Sequence, residues 1–349
     1  MNEIAVYLMY RDVFDRKAVL SEIPPLISDL EVAESLSIIC QLSIELRLAK
    51  RDRESLAKLQ TEWASSLLDD DTIARLKARF GNAHLADRPL FHAPQLLNVL
   101  KLIIENSSGD KNPRTDDAAR YRLGTVCLMV NDLFLNAKEK EELASDNGET
   151  KALALITSML ATNEVINSAP ISHVIYRSFI LFDRLLKQDE TVRRIREVCA
   201  GFDFEREFSD IVKMSLQHWR FLIFAFCAYL MHYIGSDDSR NLEYLVIDRT
   251  KYRGESSITS PDLDIVLSSV GASLLDFRIL LAEKRPTDPR FDFTSFRSKP
   301  LIEVSSNKFL CPELGFLVEK MHSGVFWAIN DGLDQLRRPQ LFSAWGILF

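Results

Sequence analysis

The sequence predicts a mainly α-helical protein with a small β-hairpin or sheet element after residue 240, and three observations carry that expectation. Glycine and proline are scarce, at 12 each in 349 residues, while leucine, alanine, arginine and glutamate abound; long unbranched side chains lose little freedom in a helix. Apolar residues recur at intervals of three and four over most of the chain, the period of a helix with one buried face. Beyond Gly235 that period gives way to short β-compatible runs followed by turn residues.

A chain of this length, 47% apolar and 27% charged, has the composition of an ordinary globular protein and is long enough for more than one core. Polar stretches at residues 106–117 and 145–150 divide its first half, and a third break falls at residues 235–240. Two packed helical subdomains are expected, residues 1–150 and residues 151–349, the second carrying the β element. The formal net charge of -7 argues against a protein that coats nucleic acid over its whole surface, while leaving room for a local basic patch.

At the N-terminus Glu3 precedes a short apolar stretch, residues 4–10, without the basic leader of a secretory signal, so the expected compartment is the cytoplasm. Leu36, Ile38, Cys40, Leu42, Ile44, Leu46 and Leu48 alternate with mostly polar partners, which favours a strand, but Ile39 breaks the alternation. The stretch also exceeds ordinary strand length, so a largely buried helix is the preferred reading. Residues 54–68 carry Leu56, Leu59, Trp63 and Leu67 at helical spacing, and residues 72–80 repeat the pattern after the Asp69, Asp70, Asp71 cap region. Pro94 sits at a first helical position before Leu96, Leu97, Leu100, Ile103 and Ile104; Asp117 precedes Leu123, Val126, Met129, Val130 and Leu133. Helices continue at residues 172–187, 190–199 and 207–234. Within the last, residues 221–231 are uninterrupted apolar, but eleven residues of helix extend only about 16 Å, half the thickness of a bilayer core. Arg220 and His232 bound that run, which predicts a central buried helix and no membrane span.

After residue 240, residues 244–248 (YLVID) and 300–304 (PLIEV) are β-compatible, and Ser305, Ser306 and Asn307 followed by residues 308–311 predict a hairpin. Residues 314–329 return to helix. The last nine residues, LFSAWGILF, carry no charged side chain. A free carboxylate there would lie on surface that seeks burial, so either a truncated polypeptide or a tightly docked tail is expected.

No catalytic signature stands out. Five scattered cysteines (Cys40, Cys127, Cys199, Cys227, Cys311) have no CxxC spacing, and the six histidines do not pair at i, i+4, so no metal site and no cofactor are expected. GxGxxG, the P-loop pattern and GxSxG are missing, and the glycines are dispersed singly. Asp262, Asp264 and Glu303 imitate the order of a Mg²⁺-dependent nuclease core, in which carboxylates and a lysine hold the ion and orient water. That core wants a lysine two residues after the acid, and here Glu303 is followed by Val304 and Ser305. Nucleic-acid contact could come from residues 284–299, where Lys284, Arg285, Arg290, Arg297 and Lys299 interleave with Phe291, Phe293 and Phe296, cations for phosphates and a ring for an unpaired base. The plainer expectation is that these phenylalanines enter the core while the charges solvate the loop.

Several phrases carry a family resemblance: LFHAPQLLNVLKLII from Leu90, RYRLGTVCLMVNDLF from Arg120, SKPLIEV from Ser298, KFLCPELGFLVEKMHSGVFWAI from Lys308 and FSAWGILF at the end. Together they resemble the N-terminal helical region of large, poorly characterised bacterial proteins. Some of those are similar to restriction-type nucleases farther along, and several sit in settings suggestive of phage defence. The resemblance implies a further domain after Trp345 and Gly346, and it carries over no catalytic residue. The function expected is a non-catalytic recognition or scaffold module of a larger bacterial effector, with a protein partner or a downstream domain to hold. The alternative is a nucleic-acid-processing enzyme using Asp262, Asp264 and Glu303, or a nucleic-acid-binding protein using residues 284–299.

Overall fold

The structure, a computed structural model, describes residues 16–49, 53–80, 90–106, 116–134, 171–233, 245–252, 260–283, 285 and 288–349. The fold is mainly α with one small four-stranded sheet, as the sequence predicts. Two compact units divide it: the first takes residues 1–168 and 273–295, the second residues 169–272 and 296–349. The loops expected at residues 145–150 and 235–240 and the apolar stretch at residues 4–10 lie outside the described residues. Residues 273–295, placed by the sequence reading in a continuous second subdomain, group with the first unit.

In the first unit short helices α1 (Arg16–Glu22) and α2 (Pro24–Ile27) precede α3 (Val32–Ala49), which settles the ambiguous stretch as helix. Residues 35–47 are buried all round, polar positions included, so the alternation marks two covered faces rather than one wet one. Gln41 donates to Glu45 Oε1 at 2.7 Å and Trp63 Nε1 to Glu45 Oε2 at 2.6 Å, which gives both oxygens of a buried carboxylate a donor. Helices α4 (Arg53–Leu67), α5 (Asp70–Phe80), α6 (Ala93–Asn106) and α7 (Asp117–Asn131) follow. Asp69 caps α5 by accepting from Thr72 N–H, and Asp116 caps α7 by accepting from Ala119 N–H, so the cap of α7 lies one residue before the expected Asp117. A Cβ at Gly124 of α7 would lie 1.8 Å from the Leu67 carbonyl oxygen, so glycine is what lets α4 and α7 touch backbone to backbone.

The second unit contains α8 (Ile171–Ile175), a π-helical segment (Tyr176–Leu181) and α9 (Phe182–Lys187), then α10 (Asp189–Val198) and α11 (Phe204–Val212). After these comes α12 (Leu216–Tyr233). Two expected helices are thereby interrupted. Residues 172–187 contain the π-segment, and residues 207–234 break where Lys213 turns left-handed (φ 64°) and its N–H takes the Ser209 carbonyl. Ser215 then caps the restart, its Oγ accepting from His218 N–H at 3.2 Å. Helix α12 is a core helix with one buried stripe, Trp219, Leu222, Ile223, Phe226, Cys227 and Leu230, while Phe221 is 47% exposed. Among the described residues no helix is long and apolar enough to cross a membrane.

Short β1 (Ile247–Asp248) leads to α13 (Arg249–Tyr252), α14 (Ser260–Val270) and β2 (Gly271–Ser273), after which the chain enters the first unit as α15 (Leu274–Ala282). Ser273 and Asp276 form a reciprocal cap for α15, and Arg278 Nε donates to the Ile104 carbonyl at the end of α6 at 2.8 Å. Helix α16 (Thr294–Ser298) leads into the hairpin β3 (Leu301–Ser305) and β4 (Lys308–Leu310). Its register pairs Ile302 with Leu310 and Glu303 with Phe309, with a bulge before Ser305 and Asn307 left-handed (φ 73°) in the turn. The sheet order is β1-β4-β3-β2. Helices α17 (Leu314–Glu319), α18 (Ser323–Gly332) and α19 (Arg338–Leu348) finish the unit, a turn at residues 320–322 splitting the one helix expected at residues 314–329. In α19, Leu341, Ala344 and Leu348 are buried while Phe342 and Phe349 remain exposed, so the apolar tail docks by one face.

Candidate functional site

The three acids of the nuclease reading do not form one cluster. Asp262 and Asp264 lie two residues apart on α14, a spacing that points side chains away from each other. Asp262 Oδ2 stands 3.7 Å from His218 Nδ1, and Asp264 pairs with Arg249. Glu303 lies on β3 opposite Phe309. Among the described residues no three His, Cys, Asp or Glu side chains are placed to hold a metal ion.

The basic and aromatic stretch divides between the units after Ser295. Lys284 lies outside the described residues. Arg285 reaches Asp292, Ser295 Oγ, the Leu280 carbonyl and Glu283. Arg290 donates to the Phe134 carbonyl at 2.7 Å and grips Asp288. In the second unit Arg297 faces Glu319 at 3.7 Å and lies over the Phe316 ring, while Lys299 Nζ donates to the Ser268 and Ser269 carbonyls near the end of α14. Phe293 and Phe296 are buried. These cations therefore bind acceptors of their own fold. Beside them burial pushes the Lys320 ammonium down to about 8, with Lys299 and Arg297 adding to the shift and Glu319 and Asp331 opposing it.

A different constellation surrounds Arg220, which is 2% exposed. Arginine is almost never buried without partners, and here Nε donates to the Met321 carbonyl at 2.9 Å and Nη1 to Asp183 Oδ1 at 3.0 Å. Nη2 reaches the carbonyls of Ser178 and Phe179, within the π-segment. A π-turn shifts the helical bonding by one residue: Phe182 N–H takes the Arg177 carbonyl and also reaches that of Phe179. Arg220 supplies donors to the two carbonyls after Arg177 and so fixes the bulge. The rings of Phe179 and Phe182 face its guanidinium at 5.2 and 5.1 Å. Burial lowers the arginine pKa and the Asp183 charge opposes that shift, so the group remains a cation.

The π-segment and the first turns of α12 enclose a cleft of about 580 Å³ lined by Phe179, Ile180, Asp183, Arg184, Ser215, Gln217, His218, Arg220 and Phe221. A smaller cleft of about 370 Å³ shares Asp183, Gln217 and Arg220 and extends along α10 and the start of α11. Single π-turns inside helices recur at functional sites, and 580 Å³ is the size of a small-molecule pocket. Comparison with protein-family models, curated proteins and solved structures returned no match. The site is therefore defined by its own chemistry. Asp183 is satisfied on both oxygens, by Arg220 and by Lys187 at 2.9 Å. Arg184 and Gln217 make no side-chain hydrogen bond or ion pair among the described residues. His218 presents its Nδ1 edge to Asp262, and Ser215 Oγ already accepts the His218 N–H.

Sequence reasoning treated Arg220 only as the boundary of an apolar run and His218 as an edge residue beside Trp219. The available signal was an arginine inside a helical stripe whose neighbours Trp219, Leu222 and Ile223 all enter the core. The π-turn left no mark in the sequence.

Proposed function

We propose that this chain is a non-catalytic recognition module, with the cleft between the π-segment and α12 as its binding face. One observation carries the reading: Arg184 and Gln217 offer donors with no partner among the described residues beside an apolar floor of Phe179, Ile180 and Phe221, while Arg220 is immobilised by Asp183 and backbone carbonyls. A rigid apolar concavity with a few orienting polar groups is what a binding pocket needs. In keeping with the resemblance, we propose that the module belongs to a larger bacterial effector acting in the cytoplasm, with phage defence as its setting.

The test is a ligand-observed NMR screen of the full chain against apolar fragments that are acidic, basic or neutral. Binders are expected whose signal disappears in Phe221→Ser and which are recovered chemically unchanged. Binding indifferent to Phe221→Ser, or turnover of the ligand, would defeat the proposal.

A further inference from the structure

The cleft has a charge character that narrows its ligand, and the inference rests on the recognition reading just given. We infer that it takes a small apolar carboxylic acid, the carboxylate held at Arg184 and the apolar body laid on Ile180 and Phe221. Every fixed charge facing the cleft bears on the choice. Asp183 is neutralised by Arg220 and Lys187, and Asp262 lies against His218. Arg184 is the guanidinium of the lining with neither hydrogen bond nor ion pair among the described residues. An entering cation would meet Arg184 without a compensating free carboxylate, whereas an anion meets a planar donor fork suited to two carboxylate oxygens.

The neighbouring donors point the same way. Gln217 brings a side-chain amide with no partner among the described residues, and His218 Nε2 is the imidazole nitrogen that Asp262 does not face. In the first turn of α12, Leu216 N–H is taken by Glu205, His218 N–H by Ser215 Oγ and Trp219 N–H by the Ser215 carbonyl. The helix dipole adds a modest preference for negative charge at this end. Phe221 and Ile180, each 47% exposed, supply the apolar contact that a bare inorganic anion would leave unused.

Isothermal titration calorimetry of the full chain with 4-phenylbutyrate, its primary amide and inorganic phosphate tests the assignment. The acid is expected to bind at least tenfold tighter than the amide, and phosphate weaker than either. Arg184→Ala should weaken the acid about tenfold and leave the amide unchanged, since one charge-assisted bond is worth at least that factor. Phe221→Ser should weaken both. Arg184 and Phe221 face solvent, and unchanged melting of the two variants verifies that the fold is intact. Equal binding of acid and amide, both lost in Phe221→Ser, overturns the carboxylate assignment and leaves the recognition reading standing. Binding insensitive to both substitutions, or none at all, overturns both.

Discussion

Replacing Arg220 by methionine, which keeps most of the volume and removes every donor, probes what holds the second unit's cleft in shape. Three carbonyl oxygens, those of Ser178, Phe179 and Met321, lose a donor in or near the core. The Phe179 carbonyl keeps the Phe182 N–H, so at about 1 to 3 kcal/mol for each of the other two left unsatisfied the upper sum approaches about 6 kcal/mol. Two effects reduce it: carbonyls near the cleft regain water, and Asp183, 33% exposed, keeps both solvent and Lys187. The expected loss is therefore about 2–4 kcal/mol, carried by the carbonyls of Ser178 and Met321 rather than by a stranded charge. Asp183→Asn should cost less, because Arg220 retains its three carbonyls. Urea unfolding followed by tryptophan fluorescence suits the measurement, since Trp219, Trp327 and Trp345 lie in this unit and Trp63 alone in the other. A loss below about 1 kcal/mol for Arg220→Met would show that the π-segment stands without its arginine.

Three further expectations follow from the packing. Gly124→Ala drives a methyl into the Leu67 carbonyl and should cost about 3 kcal/mol or more by urea unfolding, whereas Gly346→Ala, with nothing within 4 Å, should be neutral or gain up to about 1 kcal/mol. Equal effects at the two sites would contradict the α4–α7 contact. His92 is pushed down to about 4 by burial, opposed by its Nε2 bond to Asn131; Nδ1 also accepts the Gln95 N–H, which requires the neutral ring. Its folded pKa lies below the ordinary 6.5, so the unfolded chain binds the extra proton first and stability falls as pH drops from about 6.5 to about 4. The loss is at most about 3 kcal/mol, discounted because the residue keeps some exposure; a His92→Gln variant whose stability varied as steeply over that window would rule out this origin. Arg290→Ala should lower the first unit's stability by about 1–3 kcal/mol through the Phe134 carbonyl and Asp288. Arg193→Ala, which removes an exposed 4.0 Å approach to Glu197, should stay within about 0.5 kcal/mol. An unchanged melting curve for Arg290→Ala would revive a surface role for that arginine.

Much of the fold was legible because it rests on local chemistry. Asp69, Ser305 to Asn307 and Pro94 announce a cap, a turn and a helix start through backbone preferences that no distant contact overrides. The breaks were harder. Lys213 ends α11 in a left-handed conformation that carries no glycine or proline signal, and the turn at residues 320–322 interrupts an apolar period that continues on both sides. The candidate site was least legible, since its floor comes from the π-segment and α12 together and its donors from α9 and the start of α12.

The sequence by itself determined that this protein is helical, where the hairpin after residue 300 turns, and that Phe293 and Phe296 belong inside, because those properties follow from side-chain freedom, periodicity and aversion to water. Tertiary structure alone decided which charges are committed and which are available. Arg220, Arg290 and Arg184 look alike in a string of letters, yet the first two meet carbonyls brought from distant positions, and the third meets no acceptor among the described residues. Whether a cation supports the fold or serves a ligand depends on the acceptors that folding brings within about 3 Å of it.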